Sequence, residues 1–91
     1  MDLKELRVEM DAIDQDLTAL FQRRMELSAN IARYKAEQGL AVTDPRREAE
    51  KLKAVSELVS PEFREDVQRL YGLLIDLSKG YQNRLLEDEE C

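Results

Sequence analysis

The sequence predicts an all-α chain: three helices, one of them very long, forming an intertwined helical homodimer. Three observations predict it. Only 3 glycines and 2 prolines punctuate 91 residues, too few turns for a sandwich or a barrel. Apolar residues in the first third of the chain recur in alternating steps of three and four, the spacing of a packed helical seam. No helix breaker interrupts residues 3–38, a helix of roughly 50 Å at about 1.5 Å per residue. One short chain can hardly cover such a rod, so a second copy is expected against it.

The elements follow in order. Asp2 with Glu5 three residues on is a capping box that starts helix 1, about residues 3–38. Its seam runs Leu3, Leu6, Met10, Ile13, Leu17, Leu20, Leu27, Ile31 and Tyr34, and Arg24 fills the one seam position that is not apolar. Gly39 suits the left-handed residue that ends a helix. Asp44-Pro45 supplies an N-cap and a first helical residue for helix 2, about 45–58. There Leu52, Val55 and Val59 extend a stripe back to Glu48. Ser60-Pro61 repeats the start signal for helix 3, about 61–86. Helix 3 has one stripe of Phe63, Val67, Leu70, Leu74, Leu77 and Tyr81. A second, of Tyr71, Leu74, Ile75, Ser78, Gln82 and Leu85, is broken by two polar residues. Gly72 and Gly80 each cost about 1 kcal/mol relative to alanine in a helix, which close helix approach would explain. The whole, residues 1–91, reads as one domain with a short solvated acidic tail at 87–91.

Composition narrows the function. A net charge of -6 argues against nucleic acid or an anionic membrane as partner. With no histidine, imidazole metal ligands and Ser–His or Cys–His nucleophiles are excluded. The one cysteine, Cys91, offers neither a disulfide framework nor a thiolate cluster, and fits a reducing, cytoplasmic compartment. The start, Met1-Asp2-Leu3-Lys4-Glu5, lacks the apolar core of a signal peptide. No uncharged apolar run nears the roughly 20 residues needed to span a bilayer.

Several polar residues sit where apolar ones belong. Arg24 cannot shed its proton, so on a packed seam it needs a countercharge: an acidic residue of another helix, or an anionic ligand. Lys35 lies about three turns further along the same face, about 16 Å away, with Ser28 and Ile31 between. Two cations flanking a small-residue gap can grip an anion of metabolite size. Alone, Lys35 would be a snorkelling lysine near a helix end. Asp44 caps helix 2, Arg47 stands unfavourably in its positive first turn, and Glu48 points along the apolar stripe. Ser78 and Gln82 are spaced i, i+4, as for a helix-packing hydrogen bond. Arg7 lies about 25 Å before Arg24 on one rod. It reaches the same small ligand only from the other chain of an antiparallel pair, and is otherwise an exposed arginine.

Leu6-Arg7, Asp14, Arg24 with Glu26-Leu27, Lys35, Asp44 with Arg47-Glu48, and Ser78 with Gln82, in that order, resemble the all-helical class of chorismate mutase. The resemblance spans about residues 3–86. It implies an intertwined dimer of three-helix chains, chorismate as substrate, no cofactor and no metal. It implies that Arg24 holds a substrate carboxylate within the chain, and that Arg7 enters the neighbouring chain's site to bind a carboxylate. Lys35 and Gln82 would hydrogen-bond the ether oxygen as the catalytic pair. Asp44 and Glu48 would lie near the substrate hydroxyl, Arg47 would add a cation, and Ser78 a hydroxyl near a carboxylate. Fusion to, or association with, another aromatic-pathway enzyme also belongs to that family pattern. Two other readings are an isochorismate-pyruvate lyase of the same fold, and a non-catalytic dimerisation module whose arginine sets register.

Overall fold

The computed structural model describes residues 1–90, with side chains through Glu87; Cys91 and the side chains of the acidic tail lie outside the described residues. The chain order is α1 (Leu3–Gln38), α2 (Pro45–Glu57), a 3-10 turn (Pro61–Phe63) and α3 (Arg64–Glu90), with no strand among the described residues. The all-α expectation of three helices, one very long, is met.

The ends are built as the sequence specifies, with two differences. Asp2 accepts from the Glu5 N–H at 2.9 Å while the Glu5 carboxylate accepts from the Asp2 N–H at 3.2 Å. At the other end Gly39 turns left-handed, at φ 68°. There the Gly39 N–H donates to the Ala36 carbonyl at 3.3 Å and the Leu40 N–H to the Lys35 carbonyl at 2.7 Å, which is a Schellman closure. Asp44 accepts from the Arg47 N–H at 3.1 Å, with Pro45 in the first turn of α2. Ser60, by contrast, makes no side-chain cap, and the chain enters α3 through a 3-10 turn, with the Phe63 N–H on the Ser60 carbonyl at 2.9 Å. The second difference lies at the C-terminus. Backbone helix continues to Glu90 rather than stopping near 86, because nothing in Glu87-Asp88-Glu89-Glu90 breaks a helix.

Paired contacts set the layout. Arg24 meets Ser78, and four residues on Ser28 meets Gln82, so α1 and α3 run parallel. The Gln68 amide reaches the Leu52 carbonyl and Lys79 reaches Glu48, so α2 runs antiparallel to α3. The core within one chain is small: Ala29, Ala32 and Val55 are its buried apolar residues. On α3 the polar-interrupted stripe is the one that packs, since Ser78 and Gln82 are buried while Phe63, Leu70 and Leu77 of the other stripe are exposed. Gly72 and Gly80 are not sites of close approach in this chain, for a Cβ at either meets nothing within 4 Å. Nothing else in the fold accounts for them.

The seam of α1 is bare. All nine of its apolar residues are between 47% and 60% exposed. The molecule measures 54 × 27 × 14 Å with a radius of gyration of 16.5 Å, against about 12 Å for a compact chain of this length. It exposes 7426 Å², whereas a folded monomer of this mass exposes about 5,500 Å². The excess, roughly 2,000 Å² per chain, matches what a subunit buries in an obligate homodimer.

Candidate active site

The parallel contact of α1 with α3 carries two polar rungs. On the first, Arg24 Nη1 donates to Ser78 Oγ at 3.4 Å, and Ser78 Oγ in turn lies 3.9 Å from Met25 Sδ. The Arg24 guanidinium also sits 5.4 Å from the centre of the Tyr71 ring, a cation–π distance. One helical turn on, Gln82 Nε2 donates to the Ser28 carbonyl at 2.9 Å, and this bond is buried. Arg24 therefore has a hydroxyl and an aromatic face for company, and among the described residues no carboxylate pairs with it as a counterion of the kind expected for a register-setting buried arginine. Among the described residues one of its five N–H donors is engaged, which leaves four for other partners.

Lys35 stands two turns beyond Ser28 on α1 and is half-buried. The Schellman turn at Gly39 swings the chain back so that Val42 offers its carbonyl to Lys35 Nζ at 3.0 Å. That contact fixes the ammonium while leaving two of its three donors open. In the same way the Ser28 carbonyl occupies one N–H of Gln82 and leaves the other.

The three residues of α2 differ in what they do. Asp44 is exposed and engaged as N-cap. Arg47 is exposed. Glu48 is turned toward α3, where its carboxylate accepts from Lys79 Nζ at 2.8 Å, with the two side chains 24% and 29% exposed. The hydrogen bond to Glu48 raises the Lys79 ammonium above its ordinary pKa, a rise that partial desolvation opposes and the charges of Glu48 and Asp76 assist.

The structure thus joins Arg24 with Ser78 directly, sets Gln82 one turn away, and brings Glu48 beside Ser78's neighbour. It does not bring Arg7 to this cluster: Arg7 is exposed on the bare arm of α1. Three residues escaped the sequence reading. Ser28 acts through its backbone, which no side-chain pattern reveals. Tyr71 reads as one apolar member of a stripe. Lys79 follows Ser78 with no motif of its own.

A groove of about 370 Å³ between α1 and α3 is lined by Leu17, Thr18, Leu20, Phe21, Arg24, Leu70, Tyr71 and Leu74. It is apolar with Arg24 at one end, and it excludes Lys35, Gln82 and Glu48. Such a trough suits a covering helix better than a small polar ligand. The cationic cluster lies beyond its end.

The fold and the cluster define a helical domain with fixed cationic and amide donors at an incompletely covered interhelical contact, an arrangement that suits a small anion. The chain belongs to the chorismate mutase type II family, whose sequence pattern matches residues 6–83. It is 36% identical over 74 residues to the T-protein of Haemophilus influenzae, covering 76% of this chain and 20% of that protein. Over 46 residues it is 41% identical to the 4-amino-4-deoxychorismate mutase of Streptomyces venezuelae, covering 50% and 45% respectively. It is 28% identical over 91 residues to a chorismate mutase of Methanocaldococcus jannaschii, covering 97% and 91%. The chain thus spans about a fifth and under half of the first two relatives, and nearly all of the third. No solved structure is significantly similar to it. Among the described residues no helix is long and apolar enough to cross a membrane.

Proposed function

We propose that this chain rearranges chorismate to prephenate as a homodimer, with two sites each built from both chains. The observation that carries the reading is the pair of polar rungs, Arg24–Ser78 and Ser28–Gln82, in an interface otherwise made for apolar packing. Bare α1 seams from two copies would cover one another, and an antiparallel pairing would carry Arg7 across to the partner's Arg24.

Chorismate is a dicarboxylate with an enol-pyruvyl ether on a cyclohexadiene ring. The reaction is an intramolecular [3,3] shift: the ether C–O bond breaks as a C–C bond forms, and no proton, nucleophile or redox partner takes part. Two contributions suffice. Arg24 and the partner-borne Arg7, with the Ser78 hydroxyl nearby and Arg47 as a further cation in the site, would hold the carboxylates so that the substrate stays folded with its termini in reach, removing conformational entropy from the barrier. Lys35 and Gln82 would aim their remaining donors at the ether oxygen, where negative charge grows as the C–O bond lengthens. Asp44 and Glu48 would receive the ring hydroxyl. Because the donors are fixed beforehand by Val42 and Ser28, little reorganisation accompanies the charge shift.

The reading treats the chain as one catalytic domain in a reducing cytoplasm. It includes fusion or association with another aromatic-pathway enzyme, which is supported by the small share of the T-protein that the chain matches. The test is loss of chorismate absorbance with the product identified. Prephenate is expected. Pyruvate released from isochorismate, with no prephenate from chorismate, would overturn the reading in favour of a lyase.

A further inference from the structure

Lys79 lies outside the set of residues to which the reaction assigns a task, yet it touches one of them, Glu48. Lys79 projects from α3 one residue after Ser78, and its ammonium meets the Glu48 carboxylate of α2 at 2.8 Å. Asp76 stands 4.0 Å away on the same helix but is 75% exposed, so its field is largely screened. Both partners of the close pair are less than a third exposed, where an ion pair is screened much less than at the surface. Glu48 therefore does not present a free negative charge to the site. It presents a carboxylate whose charge is already balanced, with lone pairs left to accept from a neutral donor.

That distinction separates two substrates of nearly one shape. Chorismate carries a hydroxyl on its ring. The 4-amino analogue, which appears in the name of the Streptomyces relative, carries an amine there, and an aliphatic amine is an ammonium at neutral pH. A lone carboxylate favours the ammonium strongly. A carboxylate held by a lysine does not, and the lysine itself repels a second cation. We propose that Lys79 is a specificity-determining positioning residue, which holds Glu48 charge-compensated so that the site selects a ring hydroxyl over a ring ammonium. This rests on the assignment of Glu48 to the ring substituent.

The experiment compares kcat/KM for chorismate and for 4-amino-4-deoxychorismate in four proteins. The parent prefers chorismate. Lys79→Met moves the ratio toward the amine by at least tenfold, through stronger attraction of the ammonium by the uncompensated carboxylate. Lys79→Arg keeps the cation and the parental ratio. Lys79→Met combined with Glu48→Gln removes both charges and returns the ratio toward chorismate. Should Lys79→Met not fold, Lys79→Gln is read in the same way. A purely structural Lys79 would depress both substrates alike and leave the ratio where it was; that result overturns the proposal while leaving the mutase reading intact. A parent that prefers the amine also overturns it. A parent that turns over neither substrate overturns the mutase reading, and the proposal with it.

Discussion

Replacing Ile13 by aspartate tests how the bare helix is covered. Ile13 lies mid-seam on α1 and is 53% exposed in the single chain, so a dimer hides about half of a side chain worth about 1.5–3 kcal/mol when fully buried. The loss is about 1 kcal/mol per copy, and two-fold symmetry doubles it. The larger cost is electrostatic. Each new carboxylate enters a dry seam with no cation built to receive it, at several kcal/mol apiece. Together the two copies lose more than about 5 kcal/mol, which weakens dimerisation by more than about a thousandfold. Sedimentation velocity over a range of concentrations reads this directly. The parent is expected to run as a dimer and Ile13→Asp as a monomer at micromolar concentration, with turnover lost in step. Equal sedimentation of the two proteins, as monomers or as dimers, would refute the reasoning.

Other outcomes follow from the site and its supports. Arg24→Ala and Lys35→Ala should each lower kcat/KM by about 10²-fold or more, the cost of removing one preorganised donor, while circular dichroism and sedimentation still show a helical dimer. Gln82→Leu should cost only about 1 kcal/mol of stability for the lost bond to Ser28 but reduce turnover far more, so thermal melts and kinetics should diverge. Gly39→Ala should destabilise by about 1–2 kcal/mol, purely through the left-handed backbone, since a Cβ there meets nothing within 4 Å; a melt unchanged within error would contradict this. Because Glu48 raises the Lys79 pKa, the pair's contribution is whole at neutral pH and fades as pH climbs past the lysine range. The parent should therefore lose more of its stability in strong alkali than Lys79→Met does.

Local signals were legible in the sequence because they are written in neighbouring residues. Asp2 with Glu5, Gly39, and Asp44-Pro45 each declare a boundary by chemistry confined to a few positions, and the structure places each boundary there. Ser60-Pro61 misled because proline at a first turn is equally at home in a 3-10 turn. The end of α3 is not legible in the sequence because acidic residues signal solvent without signalling a break. The α1 seam was visible as a period of three and four, and so was the need for a cover, since length alone exceeds what one chain packs. The odd polar residues on packed stripes pointed to Arg24, Ser78 and Gln82, which the structure gathers. What stayed hidden depends on two helices meeting: Val42 holding Lys35, the Ser28 backbone holding Gln82, and Lys79 holding Glu48.

The central claim is that each working site is assembled from two chains, and subunit exchange tests it most directly. Arg7→Ala chains and Lys35→Ala chains, each nearly inactive alone, are mixed in equal amounts and allowed to exchange. Half the dimers become hybrids, and every hybrid holds one site with an intact Lys35 and an intact Arg7 from the other chain. Recovery of about a quarter of parental turnover is predicted. No recovery after exchange is confirmed by mass spectrometry would contradict the account.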